Sequence, residues 1–528
     1  MPTANLARHL RRQVIRRASQ EALVDGELRL TYRQLDTAVD HHARALQAAG
    51  VEPGDVVGLV ARNHATYVLE LYALARIGAI MLPLNWRLHA RELGWIVEHS
   101  GLSTLIVDAE FEEKARAVQS LGAMRTTITH APAAPGHWHA LDALLEATAD
   151  GPPVADAETG LEDPQRILYT SGTTSHPKGV IHSNGNVTHN ILGQLLELEL
   201  SASDRTLVSA PLFHVSGLEA PGHTILAAGG TMVLTPTYAG REIVALAARE
   251  RITGMVLAAQ ILLDILDMPD LGDYDLSALR FVIFAGVPPV VRRRFQEAFP
   301  HVRSIDTFGM TELTNGACYL DAAHSRSKLG SQGTPFPLMD IRIVDPASGA
   351  ELAPGEVGEI VVRGPKVSPG YWRDPEATAR AWRDGWFHSG DMASIDADGF
   401  LWFADRKGDM IKSGGENVAS AEIERVIADH PAVAEVAVVA VPDPKWDEVP
   451  KAFVLLRADA ELSEAELLRH CGAHLARFKL PKQVAFVTAL PRNDSGKVLK
   501  RVLRADGRAG AAAAAPRDAG AATREAAA

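Results

Sequence analysis

The run Tyr169-Thr170-Ser171-Gly172-Thr173-Thr174-Ser175-His176-Pro177-Lys178-Gly179 gathers hydroxyls, glycines and a lysine between two apolar stretches, Ile167-Leu168 and Val180-Ile181. That arrangement suits a loop between two strands, built to grip a polyphosphate. Glycine lets backbone N–H groups turn toward an anion, hydroxyls donate to phosphate oxygens, and lysine adds charge. It is not a Walker A loop, in which Gly-Lys-Ser/Thr opens a helix. Here Gly179 and two β-branched residues follow Lys178. A generic Ser/Thr/Gly loop reads as a solvated turn, and Lys178 sets this one apart. Other reactive types are scattered: His214, Glu312, Asp391 and Lys497. Taken singly they read as a structural histidine, a surface glutamate, a turn aspartate and a solvated lysine.

Strands alternating with helices must position such a loop. Leu28–Tyr32 reads as a strand, and Thr31 as the cap of a helix through Ala49 closed by Gly50. Val56–Val60 reads as a buried strand, 65–77 as a helix ending at Gly78, and Ala79–Leu84 as the next strand. This spacing predicts βαβ units and a parallel sheet. The pattern recurs over 205–300, with strands at Thr206–Pro211, Thr231–Leu234, Gly254–Leu257 and Phe281–Phe284. After about Gly330, alternation at Ile341–Val344 and Gly358–Val362 predicts a β-rich segment shaped as a small barrel. After Asp405 an α+β unit follows, with strands at 434–441, 451–455 and 484–487. Ser463-x-x-Glu466 is a capping box that opens a helix to about Leu475.

The chain has 528 residues, more than one ordinary core, so two to four domains or subdomains are expected. A net charge of −12, from 53 basic and 65 acidic residues, argues against sequence-independent nucleic-acid binding, which needs a basic surface. The two cysteines, Cys318 and Cys471, have no metal spacing, and a reducing cytoplasm fits them. No apolar run is long enough to span a bilayer. Leu6–Arg17 carries five arginines and no acid; it reads as an amphipathic helix with Leu6, Leu10, Val14 and Ile15 inward rather than as a transit peptide. The Ala-rich stretch 505–528 reads as a disordered tail.

The string 169–179 resembles the phosphate loop of the adenylate-forming superfamily, YTSGTTGxPKG: acyl- and aryl-CoA synthetases, peptide-synthetase adenylation domains and beetle luciferases. Ser175 departs from the usual glycine. Further blocks match in the family's order. Phe284-Ala285-Gly286-Val287-Pro288 and Phe308-Gly309-Met310-Thr311-Glu312 resemble the two walls of the adenine slot. Asp306-Thr307 stands where Gln-Gly is usual. Gly385–Asp391 resembles the ribose-binding block, with Asp405-Arg406 beyond it. Ser413-Gly414-Gly415 resembles the loop that lines the pantetheine tunnel. Pro491–Lys497 resembles PRxxxGK, and Pro211–Gly217 the mouth of the acyl pocket.

The resemblance implies roles residue by residue. Thr170, Ser171, Gly172, Thr173, Thr174 and Lys178 hold the ATP phosphates, with Thr311. Gly286, Val287, Pro288, Phe308 and Gly309 line the adenine, and Asp391 and Arg406 reach the ribose. Glu312 helps hold Mg²⁺, which prefers hard oxygen donors. Lys497 bridges carboxylate and phosphate in the transition state. His214 counts among the catalytic residues as a group that gates or positions the carboxylate, not as a base, because that acid is already ionised at neutral pH. Ser413, Gly414 and Gly415 meet CoA. His214, Gly217, Gln260, Ala285 and Gly309 line the acyl pocket.

The implied fold is α/β. A large N-terminal domain of two α/β subdomains and a small β-barrel spans 1–405. A hinge follows at 406–408, then a smaller mobile α+β domain over 409–504. Gly408 stands where Asp or Lys is usual, which predicts easy rotation. The implied reaction is carboxylate plus ATP giving acyl-AMP and pyrophosphate, then CoA giving acyl-CoA and AMP. A medium- or long-chain fatty acid or other apolar monocarboxylic acid leads the expected substrates. The alternatives are an aryl or cinnamate-type acid, or a ligase that loads a carrier protein, although no carrier domain follows residue 504. The expected partners are the acid, ATP and CoA, in the cytoplasm, with a homodimer left open.

Overall fold

The structure is a computed structural model. It describes residues 4–122, 124–132, 136–170, 177–285, 287–406, 408–413, 416–443, 446–475, 477–492 and 498–513. The chain forms two compact units: Met1–Ser389 with Ser394–Phe403, and Gly390–Ala393 with Ala404–Ala528. The division thus falls just before the expected domain end at 405, and residues 390–393 group with the second unit.

Two large sheets build the first unit. The seven-stranded sheet runs His139–Ala140, Thr126–Thr129, Thr104–Val107, Val56–Val60, Ile80–Pro83, Pro164–Thr170, Lys178–Ser183. All its neighbours are parallel except the last pair. The nine-stranded sheet runs Thr334–Pro335, Asn315–Tyr319, Arg303–Met310, Phe281–Ala285, Gly254–Ala258, Arg205–Val208, Thr231–Leu234, Glu21–Asp25, Leu28–Thr31. Its six central strands are parallel. Both sheets are covered on both faces, as parallel sheets require. Val57 and Leu59 point to one core and Val56 and Val60 to another, the period of two expected of a strand.

The helix Ala65–Ile77 is buried at every position except Thr66. A helix apolar all round belongs inside. Its core includes Val57 and Ile106 from one sheet and Leu23 and Met232 from the other, so it lies between them. Gly78 ends it in a left-handed conformation (φ 85°), as the sequence predicts. Thr31 and Gln34 form a capping box for the helix Tyr32–Ala48.

Three local expectations change. Ile15 of the helix Leu6–Arg17 is 88% exposed, and Gln13 is buried instead. At about 100° of rotation per residue, Leu6, Ala7, Leu10, Gln13 and Val14 share a stripe that Ile15 overshoots. The β-rich segment, expected as a small barrel, is a five-stranded sheet ordered Asp340–Val344, Gly358–Arg363, Trp386–Ile395, Trp382–Arg383, with Leu401–Arg406 also paired to Trp386–Ile395. A helix, Lys500–Ala513, occupies the first part of the expected disordered tail; 514–528 lie outside the described residues.

The second unit is one sheet, Glu416–Val418, Ile411–Ser413, Asp447–Leu456, Val433–Asp443, with Gln483–Phe486 parallel to the third of these. The helices Ser420–Ala428 and Glu464–His474 bury Ile423, Ile427, Leu467 and Cys471 against Ile411, Val438 and Val454. The capping box of Ser463 and Glu466 is present.

Candidate active site

The phosphate loop joins two antiparallel strands, as expected, with Thr170 and Lys178 as the last pair across them. Thr170 and Lys178 are half-buried. Ser171, Gly172, Thr173 and Thr174 lie outside the described residues, as does the departure at Ser175. Backbone bonds from Ile181 N to Gly370 O (3.1 Å) and Trp372 N to Gly179 O (2.7 Å) zip residues 370–372 onto the outer strand. This places Tyr371 beside Lys178, whose ammonium lies 4.9 Å from the centre of the Tyr371 ring.

The strand Arg303–Met310 delivers the Phe308–Glu312 block. Phe308 is buried and stacks on the Phe403 ring at 6.4 Å. Gly309 is required by a close approach: a side chain there would strike the Asn315 carbonyl. A 3-10 turn, Thr311–Leu313, then presents Glu312. Its Oε1 accepts the Tyr371 hydroxyl at 2.9 Å, and Ser368 N–H donates to its carbonyl at 2.8 Å. His182 Nε2 donates to the Thr311 carbonyl at 2.8 Å and fixes the turn from below.

The second adenine wall follows the strand Phe281–Ala285, where Phe284 pairs with Asp306 of the neighbouring strand. Gly286 and the Ala285 side chain lie outside what is described. Val287 is tethered by Arg292, whose Nε donates to the Val287 carbonyl at 2.9 Å and whose Nη1 pairs with Asp306. Both partners are buried. The departure at Asp306 therefore has a packing reason: it neutralises the guanidinium that braces the wall.

At the expected acyl mouth, His214 is exposed, and its Nδ1 lies 2.7 Å from the Ser216 hydroxyl. Gly217 packs against the Ala210 and Pro211 carbonyls, where no side chain fits. Gln260 is exposed and donates to Asp264 at 3.0 Å, one helical turn on.

In the second unit Asp391 is buried within the strand Trp386–Ile395 rather than in a turn before it. Asp405 accepts from Ser420 N and Ser420 Oγ, both at 2.6 Å, at the start of the helix Ser420–Ala428. A carboxylate there satisfies orphan N–H groups and meets the helix dipole. Arg406 ends its strand, its side chain outside the description. Gly408 has no positive φ, and a β-carbon there would meet nothing within 4 Å, so this conformation does not require glycine. Ser413 is buried and pairs with Glu416 across a hairpin whose turn, Gly414-Gly415, lies outside the described residues. Lys497 lies outside them too; the base of its loop is closed by an Arg492–Val498 bridge and by Leu499 N to Pro491 O at 2.7 Å.

Tyr371, His182 and Arg292 escape sequence reasoning, since nothing in a lone tyrosine, histidine or arginine marks what it touches. One signal was available. Arg166 interrupts the apolar strand before the phosphate loop. It is fully buried, 3.0 Å from Glu219, itself fully buried and bonded to His223 (3.0 Å) and Asn190 (3.2 Å). Burial would raise the Glu219 pKa, but Arg166 and His223 hold it well below the usual carboxylate range.

His64, Asp108 and His130 converge at the carboxyl ends of three strands of the seven-stranded sheet and have the residue types of a metal site. Their ring nitrogens are spent elsewhere. His64 Nδ1 accepts from Tyr67 N (3.3 Å), leaving the Nε2 proton for Asp108 at 2.9 Å. His130 donates Nδ1–H to Asp108 (2.6 Å) and Nε2–H to Glu70 (2.7 Å). The cluster is a hydrogen-bonded network of two histidines and two carboxylates. Burial lowers the His130 pKa, but Glu70 and Asp108 overcome it and push the ring up to about 10. A raised folded pKa stabilises fully below the unfolded value and is lost as pH rises through the folded one. The melting temperature is therefore expected to fall between the ordinary value of 6.5 and about 10. His130→Gln should flatten that part of the thermal-melt profile; an unchanged slope would overturn the assignment.

The family model described as AMP-binding enzyme matches residues 10–372, and the AMP-binding enzyme C-terminal domain matches 422–497. The chain is 39% identical over 483 residues to a feruloyl-CoA synthase of Amycolatopsis sp, covering 92% of this chain and 95% of that protein. It is 38% identical over 476 residues to an indoleacetate–CoA ligase of Aromatoleum aromaticum, covering 90% and 92%. The solved structure of the anthranilate CoA ligase AuaEII in complex with anthranoyl-AMP superposes with a TM-score of 0.89 at 28% identity, covering 97% of this chain and 99% of that one. The phosphate-loop strands, the turn carrying Glu312 and these matches agree: the chain belongs to the adenylate-forming acyl-CoA synthetases of the AMP-binding enzyme family and is an AMP-forming acid–thiol ligase.

Proposed function

We propose that this chain is an aryl-acid–CoA ligase. The observation that carries the reading is the naming of its relatives: feruloyl-CoA synthase, indoleacetate–CoA ligase and anthranilate CoA ligase all take aromatic acids. The apolar composition of 212–222, 257–263 and 309–316, without Arg or Lys, fits a ring and disfavours a second carboxylate. The fatty-acid reading that leads from sequence alone becomes the rival.

In the first step a carboxylate oxygen bonds to the α-phosphorus of ATP, and the bond to the β-phosphate oxygen breaks as pyrophosphate leaves. The phosphate loop and Lys178 hold the departing phosphates. Lys497 bridges the anionic acid and the α-phosphate, stabilising charge that builds in the transition state. The Val287 and Phe308 walls hold the adenine, and Asp391 and Arg406 the ribose. Glu312 would hold Mg²⁺ through the hard carboxylate oxygens that ion prefers, and the ion would neutralise phosphate charge. In the second step the CoA sulfur bonds to the acyl carbon, AMP leaves with the electron pair, and the thiol proton passes to solvent. Ser413, Gly414 and Gly415 line the thiol's path, and Gly408 is the pivot between the steps.

The test is CoA-dependent AMP formation across ferulate, indole-3-acetate, anthranilate, octanoate and palmitate. An aryl acid should exceed either fatty acid in kcat/KM by about tenfold or more, a discrimination apolar pockets commonly reach. A fatty acid in the lead, or AMP release that needs a carrier protein instead of CoA, overturns the proposal.

A further inference from the structure

We propose that Tyr371 is a positioning residue that keeps Lys178 and Glu312 from pairing with each other, so that both remain available to ATP. The inference rests on the proposed roles of those two residues. Three contacts meet in one residue. Tyr371 donates its hydroxyl to Glu312 Oε1 at 2.9 Å. Its ring carries the Lys178 ammonium at 4.9 Å from the centroid. Its backbone is fastened to the strand of Lys178 by a bridge to Val180 and by the flanking bonds of Gly370 and Trp372. Tyr371 is buried, so its place is fixed by packing against Val180, Ala377 and Trp382 rather than by the charges it serves.

The chemistry explains why a tyrosine suits the position. A lysine and a glutamate brought to one site attract each other, and direct pairing would cancel the charges that phosphate and metal need. No carboxylate lies within ion-pair distance of Lys178 among the described residues, although Glu312 shares Tyr371 with it. The tyrosine gives each charge a partner weaker than the one it waits for. The π-face attracts the ammonium, and one neutral hydroxyl occupies one carboxylate oxygen. Burial, with Glu312 next in order, raises the phenol's pKa, so it stays a donor. Arriving phosphate oxygens outcompete a ring face for the lysine, and no strong ion pair has to be broken first.

The test measures ATP binding to the full-length protein by calorimetry, in EDTA and in Mg²⁺, for wild type, Y371F, E312Q and Y371F/E312Q. Y371F keeps the ring and loses the hydroxyl. Glu312 is then free to close on Lys178, and ATP affinity in EDTA should fall about tenfold, the size of one charge-assisted bond. Removing the carboxylate as well should restore it: Y371F/E312Q should bind ATP in EDTA within about twofold of wild type. A merely structural tyrosine predicts no such rescue. Unchanged affinity of Y371F in EDTA, or a double variant as weak as Y371F, overturns the proposal. E312Q alone separates the two layers. If Mg²⁺ tightens ATP binding to E312Q as much as to wild type, Glu312 is not the metal carboxylate, while the EDTA comparison still decides the role of Tyr371.

Discussion

Lys497→Ala is expected to abolish ATP-dependent adenylation while sparing turnover of supplied acyl-AMP by CoA. Adenylation presses an anionic carboxylate against an anionic phosphate, and only that step needs a cation bridging the two. Losing one preorganised charge donor should cost about 10²–10³ in rate. The fold should tolerate the change, because the loop containing Lys497 is closed at its base by the Arg492–Val498 bridge, and Leu490 and Leu503 on either side are held in the core of the second unit. Pyrophosphate release on fresh carboxylate, followed beside AMP release from acyl-AMP, gives both readings. Retained pyrophosphate release, or equal loss of both, refutes the role.

Arg166→Met should cost about 3–5 kcal/mol of stability, the range for breaking a buried pair from one side. The guanidinium and Glu219 are both wholly inside, at 3.0 Å, and methionine would leave the carboxylate with His223 and Asn190 as its close partners. Neutralising both ends in R166M/E219Q should recover much of the loss, since a neutral amide beside an apolar side chain costs less than one stranded charge. Urea titration followed by far-UV circular dichroism measures this. A single variant within about 1 kcal/mol of wild type would mean that the histidines alone neutralise Glu219. The same variant should impair activity, because His182 lies 3.7 Å from Glu219 on one side and bonds the Thr311 carbonyl on the other.

Most of the fold was legible because its signals are local. Gly78, Thr31 with Gln34, and Ser463 with Glu466 end or open helices through their own neighbours. The strand ends flanking the phosphate loop were legible for the same reason. The described residues among those named from the motif resemblance have neighbours that the sequence did not show. Tyr371 reaches Glu312 across 59 positions and His182 reaches Thr311 across 129. Such pairings depend on strand order, which residue type cannot report. Asp306 is the instructive case. In the sequence it stood only as a departure from Gln-Gly, and in the structure it pairs with Arg292. Ile15 misled in the opposite way: being apolar, it was assigned inward, yet the helix turned it out.

The helix Ala65–Ile77, enclosed on nearly every side, ties the folding of the two large sheets together. Each sheet lends it one wall, so neither can hide its own apolar face without the other. A gene fragment encoding one sheet alone would expose the seat of this helix. The two sheets are therefore expected to assemble as a single cooperative body.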